Sequence, residues 1–312
     1  MEMFSVFNPG AYTSVQDRGR FGFQQMGIPI TGVLDFFAYE VANLLVGNSP
    51  QSAVLEITLT GPALEVRSKA DVAVTGAEFG ITLNRVEIEC WKSFRIHPGD
   101  KLEIHQVKKG CRAYLAVTGG IDVPVIMGSR STYVGGKIGG FNGRPLKQGD
   151  ILKSNSKPLL PRQQHLPTKF LPEYPSEIRL RTVIGPQDEY FSQSIDHLYA
   201  SEFMVSPKAD RMGYRLMGPK IALDKDKPKS IVSEPTMSGG VQIPPDEQPI
   251  ILLVEQTVGG YAKIVTVVSS DIPKVAQATP GDTIQFEKVE LPTAHELYHE
   301  EKKRIKEIRE LL

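Results

Sequence analysis

The sequence has 312 residues, which is long for a single core, and its composition is that of a globular protein. Thirty-six Lys and Arg balance thirty-six Asp and Glu, so the formal net charge is zero and gives no reason to expect nucleic acid or an anionic membrane as a partner. The two cysteines are too few for a disulfide framework. The N-terminus resembles neither a signal peptide nor a spanning segment, so we expect a cytoplasmic protein.

The first predicted helix follows Asp35, which can cap a segment with Phe37, Val41 and Leu44 at helical spacing. Gly47 should end it. Otherwise the chain shows dense glycine and proline punctuation between short β-branched runs, a pattern typical of β proteins. Four such runs are residues 72–75, 114–118, 250–254 and 262–268. The chain should therefore be mainly β, with few short helices.

Five prolines fall between Lys157 and Ile178, and no apolar period survives there, so we predict an extended linker. A second short helix is predicted shortly after Pro186. A Gly-Asp turn that enters a strand recurs at 98–102, 148–152 and 280–284, which hints at two barrels of related design. We predict an N-terminal barrel domain at 1–165, a C-terminal barrel domain at 166–290 and an amphipathic helix at 291–312.

The terminal segment contains His295-Glu296-Leu297-Tyr298-His299, which matches the HExxH pattern of zinc proteases. A catalytic zinc needs a third ligand, usually well downstream, and only thirteen residues follow His299. The alternating acids and bases after it favour a docked or oligomer-contacting surface helix, with Thr293 and Glu296 as its capping box. We expect no metal site.

Glycine-flanked polar clusters are the candidate chemistry, because glycine lets backbone amides approach a ligand and arginine binds carboxylate or phosphate. They lie at residues 16–20, 128–132, 139–144, 210–213, 233–234, 240–242 and 256–261. Scaffolding is the alternative, in which Asp17 pairs with Arg18 or Arg20 to fix a loop. Under the functional interpretation the predicted catalytic residues are Glu56, Glu234, Arg20 and Arg211, and the predicted substrate-binding residues are Asp17, Asp35, Arg130, Gln242, Gln256 and Tyr261.

In this interpretation three arginines, Arg20, Arg130 and Arg211, hold anions. Glu56 or Glu234 transfers a proton, and Gln242, Gln256 and Tyr261 orient the substrate. The chain contains neither a Walker loop nor a G-x-S-x-G motif.

A set of motifs resembles the biotin-dependent carboxyltransferase family, and their order matches from about residue 4 to residue 289. The motifs are at residues 16–22, 32–35, 42–48, 55–56, 75–77, 114–121, 128–132, 210–213, 240–242 and 256–261. That family includes allophanate-hydrolase-subunit-2-like proteins, the C subunit of 5-oxoprolinase and the carboxyltransferase region of urea carboxylase. The resemblance implies two tandem cyclophilin-like β-barrels.

The resemblance also implies an activity, ATP-coupled opening of 5-oxoproline to glutamate, with a small anionic amide as substrate. Its implied partners are a subunit-1-like protein, of the type of the 5-oxoprolinase B subunit, and a LamB/YcsF-like A subunit, with ATP bound in the complex. Two alternatives remain open. One is a carboxyltransferase component fed by carboxybiotin on a separate carrier, since this chain has no Met-Lys-Met biotinylation sequence. The other is a regulatory antagonist that binds a kinase-inhibitor protein.

Three positions depart from the family pattern close to the predicted site. Val254, followed by Glu255, stands where an acid is usual two residues before Gln-Thr. Pro235 replaces a typical glycine, and Ala262 replaces a typical proline. These changes leave the exact substrate open.

Overall fold

A computed structural model describes residues 1–312 and contains eighteen strands and four α-helices. The N-terminal strands are β1 (Glu2–Asn8), β2 (Tyr12–Gln16), β3 (Val54–Thr58), β4 (Ala63–Val66), β5 (Ala70–Leu83), β6 (Val86–Glu87), β7 (Ser93–Ile96), β8 (Lys101–Val117) and β9 (Ile151–Lys153). The remaining strands are β10 (Glu177–Ile184), β11 (Glu202–Ala209), β12 (Gly213–Met217), β13 (Glu234–Pro235), β14 (Gly240–Gln242), β15 (Ile250–Leu252), β16 (Val258–Gly259), β17 (Lys263–Val267) and β18 (Thr283–Lys288). The helices are α1 (Phe36–Leu45), α2 (Ile195–Ala200), α3 (Ile272–Gln277) and α4 (Leu291–Leu311). The prediction of a mainly β chain with few short helices and a C-terminal helix is confirmed.

The chain divides into two compact units that are each discontinuous in sequence. Unit 1 comprises Met1–Phe21, Thr31–Tyr174 and Arg304–Leu312, and unit 2 comprises Gly22–Ile30 and Pro175–Lys303. The predicted domain limits at 165/166 and 290/291 describe continuous segments and stay a prediction.

Unit 1 contains one nine-stranded sheet, ordered β2-β3-β8-β4-β1-β9, with β5 paired to β6, β7 and β8. Its long β5–β8 ladder changes register three times, as expected of β-bulges that bend a sheet. Helix α1 packs in an apolar cluster that includes Tyr39 and Trp91. The end of α4 adds Ile305 and Ile308 to this cluster. The predicted cap is confirmed, since the Asp35 carboxylate accepts the amide of Ala38 at 2.9 Å.

Unit 2 contains a closed seven-stranded barrel, ordered β10-β17-β14-β15-β12-β11-β18, in which β18 returns to pair in parallel with β10. Its interior is filled by alternate apolar residues, among them Leu180, Phe203 and Ile264, all fully buried. A separate two-stranded ribbon, β13 with β16, pairs Glu234 with Gly259.

The three predicted Gly-Asp turns share one geometry. Gly99, Gly149 and Gly281 have φ of +91°, +87° and +99°, a left-handed conformation that suits glycine. In each turn the aspartate accepts the amide three residues earlier at 2.7 Å, and the next residue begins β8, β9 or β18. The same local chemistry therefore starts strands in both units.

The predicted linker is held to unit 1 by the buried carboxylate of Asp71. It accepts two bonds from Arg95 (3.0 and 3.2 Å), the amide of Leu160 (2.7 Å) and the side chain of Gln163 (3.1 Å). Burial acts to raise the pKa of Asp71, but these hydrogen bonds outweigh it and lower the pKa.

The predicted capping box of the terminal helix is wrong. Helix α4 begins at Leu291, and the amide of Ala294 already donates to Glu290 O, so Thr293 lies inside the first turn. Pro292 explains the difference, because proline fits the first helical turn and allows the helix to start at Leu291, three residues before the position expected from a Thr293 cap.

Candidate functional site

The ten predicted site residues divide evenly between the two units. Unit 1 contains Asp17, Arg20, Asp35, Glu56 and Arg130, and unit 2 contains Arg211, Glu234, Gln242, Gln256 and Tyr261. Each group is described within its own unit.

The side chain of Arg20 is fully buried in unit 1. Its Nε donates to Ile126 O at 3.1 Å, and its two terminal nitrogens donate to Thr31 Oγ1 at 3.1 Å and Ser131 O at 2.9 Å. Burial lowers the pKa of Arg20, while the nearby charge of Asp17 opposes that shift. These contacts join the connection between β2 and α1 to the connection between β8 and β9. The predicted role of Arg20 as an anion holder stays a prediction.

The backbone around Arg20 has an unusual conformation. Thr31 is buried with φ of +57°, which is rare for a β-branched residue. Gly139 has φ of +65°, and a Cβ there would overlap Ser131 O and lie 2.6 Å from a terminal nitrogen of Arg20. Glycine is required at 139 because two other segments approach its α-carbon.

The carboxylate of Asp17 organises the loop that carries Arg130. Its Oδ1 accepts the hydroxyls of Ser129 and Ser131, both at 2.6 Å, and the amide of Gly19 at 2.9 Å. Its Oδ2 accepts the amide of Arg130 at 2.5 Å. The carboxylate therefore fixes loop geometry mainly through backbone amides and hydroxyls.

The backbone amide and the Nε of Arg130 have hydrogen-bond partners, but its two terminal guanidinium nitrogens do not. Its Nε donates to Val123 O at 3.1 Å, and its terminal nitrogens make no hydrogen bond within the chain. The side chain is half-buried. A guanidinium fixed in this way can bind a carboxylate or phosphate with two parallel hydrogen bonds. Arg130 is thus the candidate anion holder of unit 1.

The predicted carboxylates Glu56 and Asp35 lie in the interior of unit 1, where Tyr114 contacts both residues and Tyr174 contacts the Asp35 carboxylate. Glu56 Oε2 accepts the amide of Leu34 and the hydroxyl of Tyr114, each at 3.0 Å. Tyr114 also accepts the amide of Asp35 at 2.8 Å, and Tyr174 donates to Asp35 Oδ2 at 3.1 Å. Burial, followed by the charges of Glu56 and Asp35, raises the pKa of Tyr114 well above its usual value. The network orders the start of α1, and the predicted chemical roles of both carboxylates stay predictions.

In unit 2, Arg211 forms a buried ion pair with Glu255. Arg211 Nε lies 2.6 Å from Glu255 Oε1, and the two side chains are 7% and 10% exposed. Glu255 directly follows Val254, the position where the family usually has an acid. The acid next to that position therefore contacts Arg211, one of the predicted site residues. The carboxylate of the adjacent Asp210 accepts the backbone amides of Met212 and Gly213.

Glu234 belongs to a second ion pair, with Lys263. Glu234 Oε1 accepts both Lys263 Nζ and the side-chain amide of Gln187, the latter at 2.7 Å. The hydrogen bond from Lys263 lowers the pKa of Glu234; partial burial opposes this and Gln187 adds to it. The lysine side chain is only 6% exposed and the carboxylate 38%. Glu234 is therefore an ionised carboxylate with one oxygen, Oε2, that has no partner in the chain.

The sequence reasoning missed Lys263 and Gln187. The available signal was a lysine inside the run Lys263–Val267, where the neighbouring residues are all β-branched. A buried lysine in such a strand needs an acidic partner. Gln187 carried no comparable signal.

Gln242 lies beside this pair, because it is the cross-strand neighbour of Lys263. Its side chain is 7% exposed, and neither its oxygen nor its nitrogen makes a hydrogen bond within the chain. A Cβ on Gly259, the neighbour of Glu234, would lie 3.1 Å from Gln242 Oε1. We call Gln187, Glu234, Gln242 and Lys263 the β14 polar cluster.

The last two predicted residues flank strand β16. Gln256 donates to Val258 O at 3.0 Å and is half-buried. Tyr261 is also half-buried, and its hydroxyl makes no hydrogen bond within the chain. Thus unit 2 brings Glu234 and Gln242 into one cluster, and Gln256 and Tyr261 lie on either side of β16, the strand that pairs with Glu234.

The HExxH histidines His295 and His299 are exposed on α4. No group of three or more His, Cys, Asp and Glu side chains in the structure is placed to hold a metal ion. None of the helices has both the length and the apolar character needed to span a bilayer.

Comparisons with known proteins identify the family of this chain. Residues 26–288 match the family described as carboxyltransferase domain, subdomain A and B. The C subunit of the Escherichia coli 5-oxoprolinase is 36% identical over 94% of this chain and 93% of its own length. The urea amidolyase of Lachancea kluyveri is 34% identical over 94% of this chain, which spans only 17% of that relative. The crystal structure of the Kluyveromyces lactis urea amidolyase superposes with a TM-score of 0.93 at 34% identity, over 99% of this chain and 20% of the other. This chain belongs to the carboxyltransferase domain family, subdomains A and B.

Proposed function

We propose that this chain is one component of an ATP-dependent 5-oxoprolinase, which opens 5-oxoproline to glutamate. The observation that carries the proposal is the 36% identity to the C subunit of the E. coli enzyme along nearly the whole of both chains. We propose as partners a subunit-1-like protein, of the type of the 5-oxoprolinase B subunit, and a LamB/YcsF-like A subunit. No Walker loop occurs in this chain, so we assign ATP to the complex.

The chemistry of the β14 polar cluster supports an amide substrate. A lactam resists water. Transfer of the terminal phosphoryl group of ATP to the lactam carbonyl oxygen releases ADP and makes the carbonyl carbon electrophilic; water then adds, the C–N bond breaks, and a second water releases phosphate from the acyl phosphate. Gln242 orients the amide, and the open oxygen of ionised Glu234 accepts a proton from the attacking water. Lys263 keeps Glu234 ionised and, being almost fully buried, adds a positive charge close to the phosphorylated carbonyl oxygen.

Unit 1 contributes an anion-binding group of its own, Arg130. Its open terminal nitrogens are suited to bind a carboxylate or a phosphate, and both groups occur among the proposed reactants, 5-oxoproline and ATP. Asp17 holds the loop of Arg130 in place through the amide of residue 130.

A carboxyltransferase reaction is the second candidate, supported by the TM-score of 0.93 to the K. lactis urea amidolyase. Carboxyl transfer from carboxybiotin to urea also needs an oriented amide and a stabilised oxyanion. In that case the carboxybiotin would arrive on a separate carrier, and the same cluster would hold urea.

The test is reconstitution. The chain is copurified with the two proposed partners, and glutamate release from 5-oxoproline is measured with and without ATP. We expect ATP-dependent glutamate in the wild-type complex, a large loss with Glu234→Gln or Arg130→Ala, and no change with Asp226→Asn, an exposed acid in unit 2. No glutamate from the complete complex, or carboxybiotin-dependent carboxylation of urea instead, would overturn the proposal.

A further inference from the structure

An open groove of about 450 Å³ lies on unit 1, along strands β5, β6 and β8. Its volume is within the usual range of a small-molecule site. The groove is lined by residues 79–82 of β5, residues 87–88 at the end of β6, and residues 105–108 of β8. None of the ten predicted site residues is among them, so the proposed function does not account for this groove.

The groove is open because position 80 has no side chain. A Cβ on Gly80 would lie 3.6 Å from His105 Cδ2 and 3.9 Å from Lys108 Cε, so those two side chains stand on the side of the sheet that a residue-80 side chain would occupy. Thr82 Oγ1 and His105 Nε2 are hydrogen-bonded at 3.0 Å, which fixes the imidazole beside the gap. Gly80 is not among the glycines with positive φ, so its backbone conformation does not require glycine. What glycine provides here is the space.

The two walls of the groove carry opposite charges. Glu87 of β6 lies opposite Thr82 of β5 in the strand register, and directly opposed residues project to the same side of a sheet. Lys108 belongs to β8, which pairs with the other edge of β5. Neighbouring strands are about 5 Å apart, so the backbones of the two walls are about 10 Å apart. Neither Glu87 nor Lys108 forms an ion pair or a side-chain hydrogen bond within the chain.

This pair of charges selects among ligands. An anion held by Lys108 would face the carboxylate of Glu87, and a cation held by Glu87 would face the ammonium of Lys108. An uncharged ligand would leave both side chains without a charged partner. A small zwitterion avoids both problems, because its ammonium group can donate to Glu87 while its carboxylate accepts from Lys108.

We propose that the groove is a binding site for a small α-amino acid. Lys108 Nζ donates to its carboxylate, its ammonium group donates to the carboxylate of Glu87, and its α-carbon lies over Gly80. The hydrogen bond from Thr82 keeps the ring of His105 at the edge of the site. This site does not depend on the proposed function, because it contains none of the residues assigned there.

The test measures binding to the full-length chain with three probes that share one carbon skeleton. L-Alanine carries both charges, propionate lacks the ammonium group, and ethylamine lacks the carboxylate. Binding is followed by the backbone amide signals of residues 79–82 and 105–108 in proton–nitrogen NMR spectra. Glu87→Gln and Lys108→Met each remove one wall charge. Glu89→Gln and Lys109→Met are the matched controls, since they remove the same charges from exposed residues outside the groove.

We expect saturable shifts with L-alanine, and about fivefold weaker binding of propionate and of ethylamine, as the loss of one partly exposed ion pair implies. Glu87→Gln should lose the preference for L-alanine over propionate, and Lys108→Met should lose the preference over ethylamine. Both controls should keep both preferences, and all four variants should keep the wild-type amide signals outside the groove. The absence of a saturable shift with L-alanine, equal binding of the three probes to wild type, or wild-type preferences in Glu87→Gln and Lys108→Met would overturn the inference.

Discussion

Replacing Asp17 by Asn tests whether this carboxylate holds the Arg130 loop. In its best orientation the asparagine oxygen takes the place of Oδ1 and keeps the bonds from Gly19, Ser129 and Ser131. Its NH2 group then faces the amide of Arg130, which now donates at 2.5 Å to a carboxylate oxygen. Two N–H donors then face each other where one charge-assisted hydrogen bond existed. The free energy of unfolding of the variant should therefore fall by about 2–4 kcal/mol.

The assay can be confined to unit 1, because Trp91 is the single tryptophan of the chain and lies in that unit. Urea unfolding is followed by Trp91 fluorescence, and hydrogen exchange is measured at the amide of Arg130. Asp122→Asn is the matched control, because its exposed side chain makes no hydrogen bond, and should stay within about 0.5 kcal/mol of wild type. Equal unfolding of Asp17→Asn and Asp122→Asn, or an unchanged exchange rate at Arg130, would refute the reasoning.

Three further predictions use single contacts. Because folding lowers the pKa of Asp71, its ionised carboxylate stabilises the fold at pH values above the unfolded-state pKa of about 4, and this contribution is lost as the pH falls through the lower pKa of the folded state. Asp71→Asn should therefore flatten the acid limb of a stability–pH curve measured with urea. Gly139→Ala should lower the free energy of unfolding by more than about 2 kcal/mol. Gly128→Ala, also at positive φ but in open space, should lower it by about 1 kcal/mol. Comparable urea midpoints for the two variants would contradict the packing argument. Lys263→Met should raise the pKa of Glu234 towards its ordinary value, and a carbon-13 NMR titration that finds it unmoved would remove the proposed role of the lysine.

Local signals in the sequence predicted the elements that are stabilised locally. Asp35 caps α1 through the amide of Ala38, three residues away, and Gly47 at φ of +68° ends it. The Gly-Asp turns likewise close over three residues. A cap or turn needs only residue types at fixed short spacings, so these features can be identified without knowing the fold.

The same local reasoning failed where two local signals compete. Thr293 and Glu296 have capping-box spacing, but Pro292 and the helical residues before Thr293 extend α4 to Leu291. The capping box describes a possible start, and a proline in the first turn makes an earlier start equally acceptable to the backbone.

The contacts of the candidate site could not be predicted because they join distant parts of the chain. Asp17 bonds to Ser129 and Ser131 across 112 and 114 residues, and Glu56 bonds to Tyr114 across 58. The sequence identified Asp17 as a polar residue among glycines. The only partners that its neighbourhood in the sequence suggested were Arg18 and Arg20. Lys263 was missed for the same reason, since its acid lies 29 residues away on another strand.

Arg20 and Arg130 show what the structure adds to residue type. Both are arginines in glycine-rich segments, and the sequence assigned both the same anion-holding role. All three nitrogens of Arg20 donate to oxygens of the chain, whereas Arg130 uses only its inner nitrogen and keeps its terminal pair open. Since a ligand must compete with any partner that an arginine already has, Arg130 can bind an anion at no cost in internal hydrogen bonds. Arg20 would have to release a loop to do so, and for that reason Arg130 is the arginine of unit 1 on which the anion-binding hypothesis depends.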